Sequence, residues 1–168
     1  MTSWYDIYSM DRPASMPVND ARKLMSQEEI RDSVRIVTEI IDEEVKLLDG
    51  KHENIYIGGF SQGCAISIAT FLLYQGGRLG GCVGLSGAHS TIIDYETEVD
   101  LPLKRQTKMF LYHGEDDQVI GAANAEKSYL ELTDHKLDFT FEKEPGLEHS
   151  LSMEEIKKVS AFFKSQMV

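Results

Sequence analysis

The stretch Ile55-Tyr56-Ile57-Gly58-Gly59-Phe60-Ser61-Gln62-Gly63 decides the fold. An apolar, β-type run stops at a serine set in Gly59-Phe60-Ser61-Gln62-Gly63, a G-x-S-x-G pattern, and an apolar helical run follows at once. Reversing from strand to helix over about one residue forces Ser61 into a strained, positive-φ conformation. Glycines on both sides remove the Cβ atoms that would collide where strand and helix crowd together. The Ser61 hydroxyl is then left at the C-terminal edge of a sheet. The backbone N–H of Gln62 points at an incoming carbonyl oxygen, as an oxyanion donor does. A serine in an ordinary Gly-rich turn is the other reading, and the flanking strand and helix argue against it.

Working outward, the helix before this stretch starts with Ser26 as N-cap and Glu29 three residues on, a capping box. Ile30, Val34, Val37, Ile41, Val45 and Leu48 then recur at spacings of four and three, and Gly50 stops the helix. Residues 1–26 read as an irregular surface segment, extended near Trp4 to Ile7. Downstream of Ser61 the helix runs to about Tyr74, halted by Gly76-Gly77. Strands are expected at 82–86, 109–113 and 137–141, with a helix at 121–132. The long polar connection 87–107 reads as a functional loop. A last helix starts at Ser152, boxed by Glu155, and is expected to bury Ile156, Val159, Phe163 and Met167. Alternation of strand and helix implies a mostly parallel sheet covered on both faces, an α/β fold forming one domain over 1–168.

The 168 residues are 42% apolar, enough for one compact core. A net charge of −11 without a basic stretch excludes nucleic acid as a partner and disfavours lasting adhesion to an anionic membrane. From Asn54 to Gly77 no residue is charged, which imitates a membrane span; five glycines and the Ser61-Gln62 pair mark it instead as a buried strand–helix unit. No stable membrane insertion is expected. The first twenty residues carry Asp6, Asp11 and Arg12 and lack the apolar core of a secretory signal. Cys64 and Cys82 fall in a helix and a strand and read as buried free thiols, which fits a reducing, cytoplasmic location.

In a parallel sheet ligands gather at the C-terminal strand ends. A nucleophile, a base and an orienting acid arriving there in the order serine, acid, histidine make a hydrolytic triad. Ser61 follows the first strand, Asp117 the third and His149 the fourth. Other readings stand beside this one. Glu115-Asp116-Asp117 also reads as a solvated acidic loop, and any of the three carboxylates would satisfy the order. His149 also reads as the residue that merely precedes the last helix. His52, His89, His113 and His135 have no metal-ligand spacing, so no metal is expected, and His113 reads as a packed strand end.

Five blocks occur in order: Ser3-Trp4-Tyr5-Asp6-Ile7, Gly58-Gly59-Phe60-Ser61-Gln62-Gly63, Leu85-Ser86-Gly87, His113-Gly114-Glu115-Asp116-Asp117 and Gly146-Leu147-Glu148-His149-Ser150. Together they resemble the acyl-protein thioesterase/lysophospholipase family of carboxylesterases, compact cytosolic serine hydrolases. The resemblance covers nearly the whole chain. It implies an α/β-hydrolase core in which Ser61 is the nucleophile, Asp117 the orienting acid and His149 the general base. It further implies the Gln62 N–H as oxyanion donor, Trp4 against the substrate, and no cofactor. The implied substrates are acylated proteins, lysophospholipids and small esters.

Two departures accompany the resemblance. Gln118 stands where the family commonly has proline after the acid. The family also has a block of strands before the segment resembling Ser3 to Ile7, so the expectation is an N-terminally truncated core. That block carries a His-Gly-x-Gly loop with the second oxyanion donor, and the glycines upstream of Ser61 are Gly50, Gly58 and Gly59 alone. Losing one such donor costs about 10²–10³ in kcat. Ile55 to Phe60 is then expected to be an exposed edge strand, unless residues 1–25 or a partner chain cover it. Three function classes follow: an active esterase or thioesterase, a catalytically silent hydrolase-like protein, and a truncated product without function.

Overall fold

The computed structural model describes residues 3–11 and 15–166. Four strands, β1 (Tyr56–Phe60), β2 (Gly81–Leu85), β3 (Met109–Gly114) and β4 (Phe139–Glu144), form a single parallel sheet in the order β1-β2-β3-β4. The helices are α1 (Val18–Arg22), α2 (Gln27–Leu47), α3 (Gln62–Leu73), α4 (Tyr95–Glu98), α5 (Leu101–Lys104), α6 (Ala122–Ser128), α7 (Leu130–Asp134) and α8 (Met153–Gln166). Strand side chains alternate between faces. Cys82, Met109 and Leu111 join Ile68 and Leu72 of α3, Ala125 of α6 and Leu132 of α7 in the larger core. Val83, Phe110 and Tyr112 pack on the opposite face, against Val159, Phe162 and Phe163 of α8. Helices thus cover both faces, as the alternation of elements requires.

Helix α2 follows its stripe: Ile30, Val34 and Ile41 are buried, with Val37 and Val45 packed beside them. Its capping box is half formed. The Ser26 hydroxyl accepts from the Glu29 N–H at 3.3 Å, but the Glu29 carboxylate accepts from the Asp6 N–H at 2.5 Å. The Ser26 N–H in turn donates to the Asp6 carbonyl at 2.9 Å. The cap therefore ties down the N-terminal segment. The described residues of that segment are more ordered than its composition suggests. It holds α1, preceded by Pro17, and an antiparallel bridge between Ile7 and Met25. Tyr5 and Met25 are buried with Ile30, Val34, Ala65, Ile66 and Ala69, so this segment covers α2 and α3.

The described residues of the N-terminal segment leave the outer side of β1 unpaired. The Ser61 N–H donates to Leu85 and the Ile55 carbonyl accepts from Gly80, so odd-numbered residues of this stretch face β2. Tyr56, Gly58 and Phe60 accordingly turn their N–H and C=O groups away from the sheet. The expected edge strand is there. Exposed Ile36, Ile40 and Leu47 lie on the flank of α2 that also carries Ser33, whose hydroxyl donates to the Trp4 carbonyl.

Other boundaries differ from the sequence reading. The 87–107 connection contains α4 and α5, N-capped by Asp94 and Asp100. The helix expected at 121–132 pauses at buried Tyr129, whose hydroxyl donates to the Gly87 carbonyl at 2.9 Å, and resumes as α7. Strand β4 starts two residues late because Lys136 takes φ +57° and the Leu137 N–H closes on Leu132. Ile156 is 49% exposed, contrary to expectation. Val159 and Phe163 pack inward as expected, together with Glu155 and Phe162; Ile156 lies at the Phe163 edge of that stripe, about 100° of helix rotation from Glu155 and two turns nearer the start of the helix. The expected burial of Met167 lies outside the described residues. The uncharged run 54–77 is β1 plus α3, and no helix among the described residues is long and apolar enough to cross a membrane. Cys64 and Cys82 are free and buried. Burial pushes the Cys64 thiol up to about 12, which leaves it inert.

Candidate active site

Ser61 joins β1 to α3 with φ +57° and ψ −119°, the strained turn its neighbours require. The two flanking glycines are not equivalent. A Cβ on Gly59 would sit 2.3 Å from the Gly63 carbonyl, whereas one on Gly63 would meet only Trp4 Nε1, at 3.8 Å. Steric need therefore rests on Gly59. A second strained serine, Ser86 with φ +47°, follows β2 and is buried beside the elbow. A Cβ on the adjacent Gly87 would approach Cys64 Cβ at 2.4 Å and the Ser61 carbonyl oxygen at 2.8 Å.

The structure brings the three residues that follow β1, β3 and β4 together. His149 Nε2 lies 2.9 Å from Ser61 Oγ, and His149 Nδ1 lies 2.7 Å from Asp117 Oδ2. Asp117 Oδ1 accepts from the N–H groups of Val119 and Ile120, both at 2.8 Å. Glu115 and Asp116 are exposed, so Asp117 is the carboxylate of the acidic run that reaches the histidine. Its side chain is fully buried and that of His149 is 18% exposed. Burial alone would raise the Asp117 carboxyl, but the bonds from His149, Ile120 and Val119 together bring it below its usual value. An ionised carboxylate on Nδ1 fixes the tautomer: Nδ1 carries the proton and Nε2 offers its lone pair to the serine hydroxyl.

Glycine again sets the approach of the loops. A Cβ on Gly114 would lie 2.1 Å from the Leu147 carbonyl oxygen. Its absence lets the β4–α8 loop settle onto the β3–α6 loop, where the Asp116 N–H donates to Leu147 at 3.0 Å. The ring of Phe60 packs 4.9 Å from that of His149.

Gln62 opens α3, so its backbone N–H has no acceptor within the helix. Its side chain clasps the N-terminal segment, accepting from the Trp4 N–H at 3.2 Å and donating to the Tyr5 carbonyl at 3.1 Å. Trp4, 45% exposed, lines an open groove of about 700 Å³ with Ile7, Phe60, Ser61, Gln62 and Gly63. The sequence reading missed one neighbour of this site. His113 Nε2 lies 2.7 Å from the Ile120 carbonyl oxygen and 3.2 Å from Asp117 Oδ2. The pair His113-Gly114 carries no signal that separates such a contact from simple packing at a strand end. Among the described residues no three His, Cys, Asp or Glu side chains converge as a metal site requires.

A family model described as Phospholipase/Carboxylesterase matches residues 1–167. The chain belongs to this family. It is similar to acyl-protein thioesterase 1 of Yarrowia lipolytica, with 40% identity over 164 residues, 95% of this chain and 66% of that protein. It is 29% identical to carboxylesterase SOBER1 of Arabidopsis thaliana, over 99% of this chain and 69% of that one. The crystal structure of SOBER1 superposes with a TM-score of 0.84 at 28% identity, over 99% of this chain and 74% of that one. The chain thus spans about two thirds of the length of these curated relatives.

Proposed function

We propose that the chain is a serine hydrolase that cleaves carboxylic esters or acyl thioesters through an acyl-enzyme. The observation that carries this reading is the continuous hydrogen-bonded line from Ser61 through His149 to buried Asp117. Ser61 Oγ attacks the acyl carbonyl while His149 Nε2 takes its proton, and Asp117 holds the imidazolium that forms. The Gln62 N–H stabilises the oxyanion. His149 then returns the proton to the departing alcohol or thiol, leaving the acyl group on Ser61. Water, deprotonated by the same nitrogen, attacks the acyl-serine and releases the acid. Trp4, Ile7 and Phe60 make the groove beside Ser61 apolar enough to receive an acyl chain. The names of the relatives, acyl-protein thioesterase and carboxylesterase, support the same substrate class.

A fluorophosphonate probe should label Ser61 stoichiometrically, and Ser61→Ala should abolish both labelling and hydrolysis of small esters. Absence of labelling in the folded protein would sink the proposal. A second reading takes the Gln62 N–H as the one oxyanion donor identified among the described residues. A site with one oxyanion donor turns over about 10²–10³ more slowly than one with two. Labelling without measurable turnover is the signature of that near-silent form.

A further inference from the structure

We propose that His113 is a positioning residue for Asp117, holding the turn that presents the carboxylate to His149; the role rests on the hydrolase reading above. His113 ends β3 and its side chain is fully buried. Nε2 faces the Ile120 carbonyl at 2.7 Å, and a carbonyl oxygen can only accept, so Nε2 carries the proton. Nδ1 is left buried without a hydrogen-bond partner. An orphaned buried acceptor carries a desolvation cost that an apolar side chain in the same slot would avoid. The slot is therefore occupied for its donor.

That donor acts at two places. It pins the Ile120 carbonyl, and the N–H of the same residue donates to Asp117 Oδ1, so the turn 117–120 is held from its far end. It also lies 3.2 Å from Asp117 Oδ2, the oxygen that accepts from His149. With Oδ1 taken by two amides and Oδ2 flanked by two imidazoles, the carboxylate has no rotation left. The titratable groups facing His113 are Asp117 and His149. Burial keeps His113 below its usual range despite Asp117, so it stays neutral and adds no competing charge.

The test compares His113→Leu, which removes the donor, with His113→Gln, whose amide places an N–H near the position of Nε2. A misplaced triad costs about 10- to 100-fold in kcat. His113→Leu should lose kcat on that scale with little change in KM, and His113→Gln should recover most of the loss. A second readout is independent of turnover: the downfield proton resonance of the His149 Nδ1–H bonded to Asp117 should shift in His113→Leu and return in His113→Gln. An unmoved resonance and unchanged kcat in His113→Leu would overturn the proposal. So would equal losses in both variants that track a fall in melting temperature, since packing would then be the role. If His113→Leu does not fold, His113→Asn, with its donor one bond short, replaces it. Fluorophosphonate labelling of the unaltered protein tests the hydrolase reading separately, because the resonance reports on His113 even in a protein without turnover.

Discussion

At the residue scale, the polar groups behind the site make the molecule acid-sensitive. Arg22 is 2% exposed; it donates from Nε to the His89 carbonyl at 3.1 Å and from a terminal nitrogen to Glu131 at 2.9 Å. His89 Nε2 lies 3.0 Å from the Tyr95 hydroxyl, and Nδ1 has no hydrogen-bond partner. Burial, aided by the Arg22 charge and opposed by Glu131, lowers His89 from 6.5 to about 4. The folded chain then refuses a proton that the unfolded chain accepts below about 6.5, so stability is lost as pH falls from there to about 4. The loss is about 3 kcal/mol at most. Thermal melts at pH 7 and pH 4.5 should show it, and His89→Gln should flatten the difference; equal slopes in the two proteins would refute the assignment. None of this was legible beforehand, because His89 lies in a stretch that reads as a polar loop. Ser61 and His149 were legible, because each follows a strand and the chemistry prescribes their order. Strand order alone left three acidic neighbours open and the resemblance pointed to Asp117; the burial and the contact with His149 that separate it from Glu115 and Asp116 come from the fold.

Elements long enough to repeat their pattern could be read directly. Helix α2 shows five apolar positions on one stripe, continued by Leu48 at its C-cap, and β1 is fixed by the turn that follows it. Helices α4 and α5 have four residues each, too few for a period to emerge, although Asp94, Asp100 and Pro102 mark their starts. In α8, Val159 and Phe163 pack inward as expected and only Ile156 was misplaced, for a different reason. Glu155 is buried on its inward stripe, and a carboxylate is not expected among core positions. At the junction of β1 and α3 the asymmetry of the two elbow glycines gives a direct test. Gly59→Ala forces a methyl to 2.3 Å from the backbone of Gly63 and should cost about 3 kcal/mol or more. Gly63→Ala makes only an ordinary 3.8 Å contact with Trp4 Nε1, in a helix, and should be neutral or stabilising by up to about 1 kcal/mol. Urea unfolding of both variants decides the matter, and similar losses at the two positions would show that the junction relaxes.

For the whole molecule, the parallel sheet gathers the C-terminal ends of β1, β3 and β4 at one rim, and the candidate chemistry lies there because of that topology. The alternation of strands and helices predicted this arrangement. The path of the N-terminal segment it did not predict, since the contacts of Tyr5, Met25 and Gln62 join residues about 20 to 60 positions apart without any local pattern. The lateral position of β1 leaves a physical trace. Tyr56, Gly58 and Phe60 turn their amide protons away from β2 with no strand beyond them among the described residues, while those of Ile57 and Gly59 are shared with β2. Deuterium uptake along this strand should therefore alternate, fast at 56, 58 and 60 and slow at 57 and 59. Uniform slow uptake would mean that another polypeptide lies along β1 in solution.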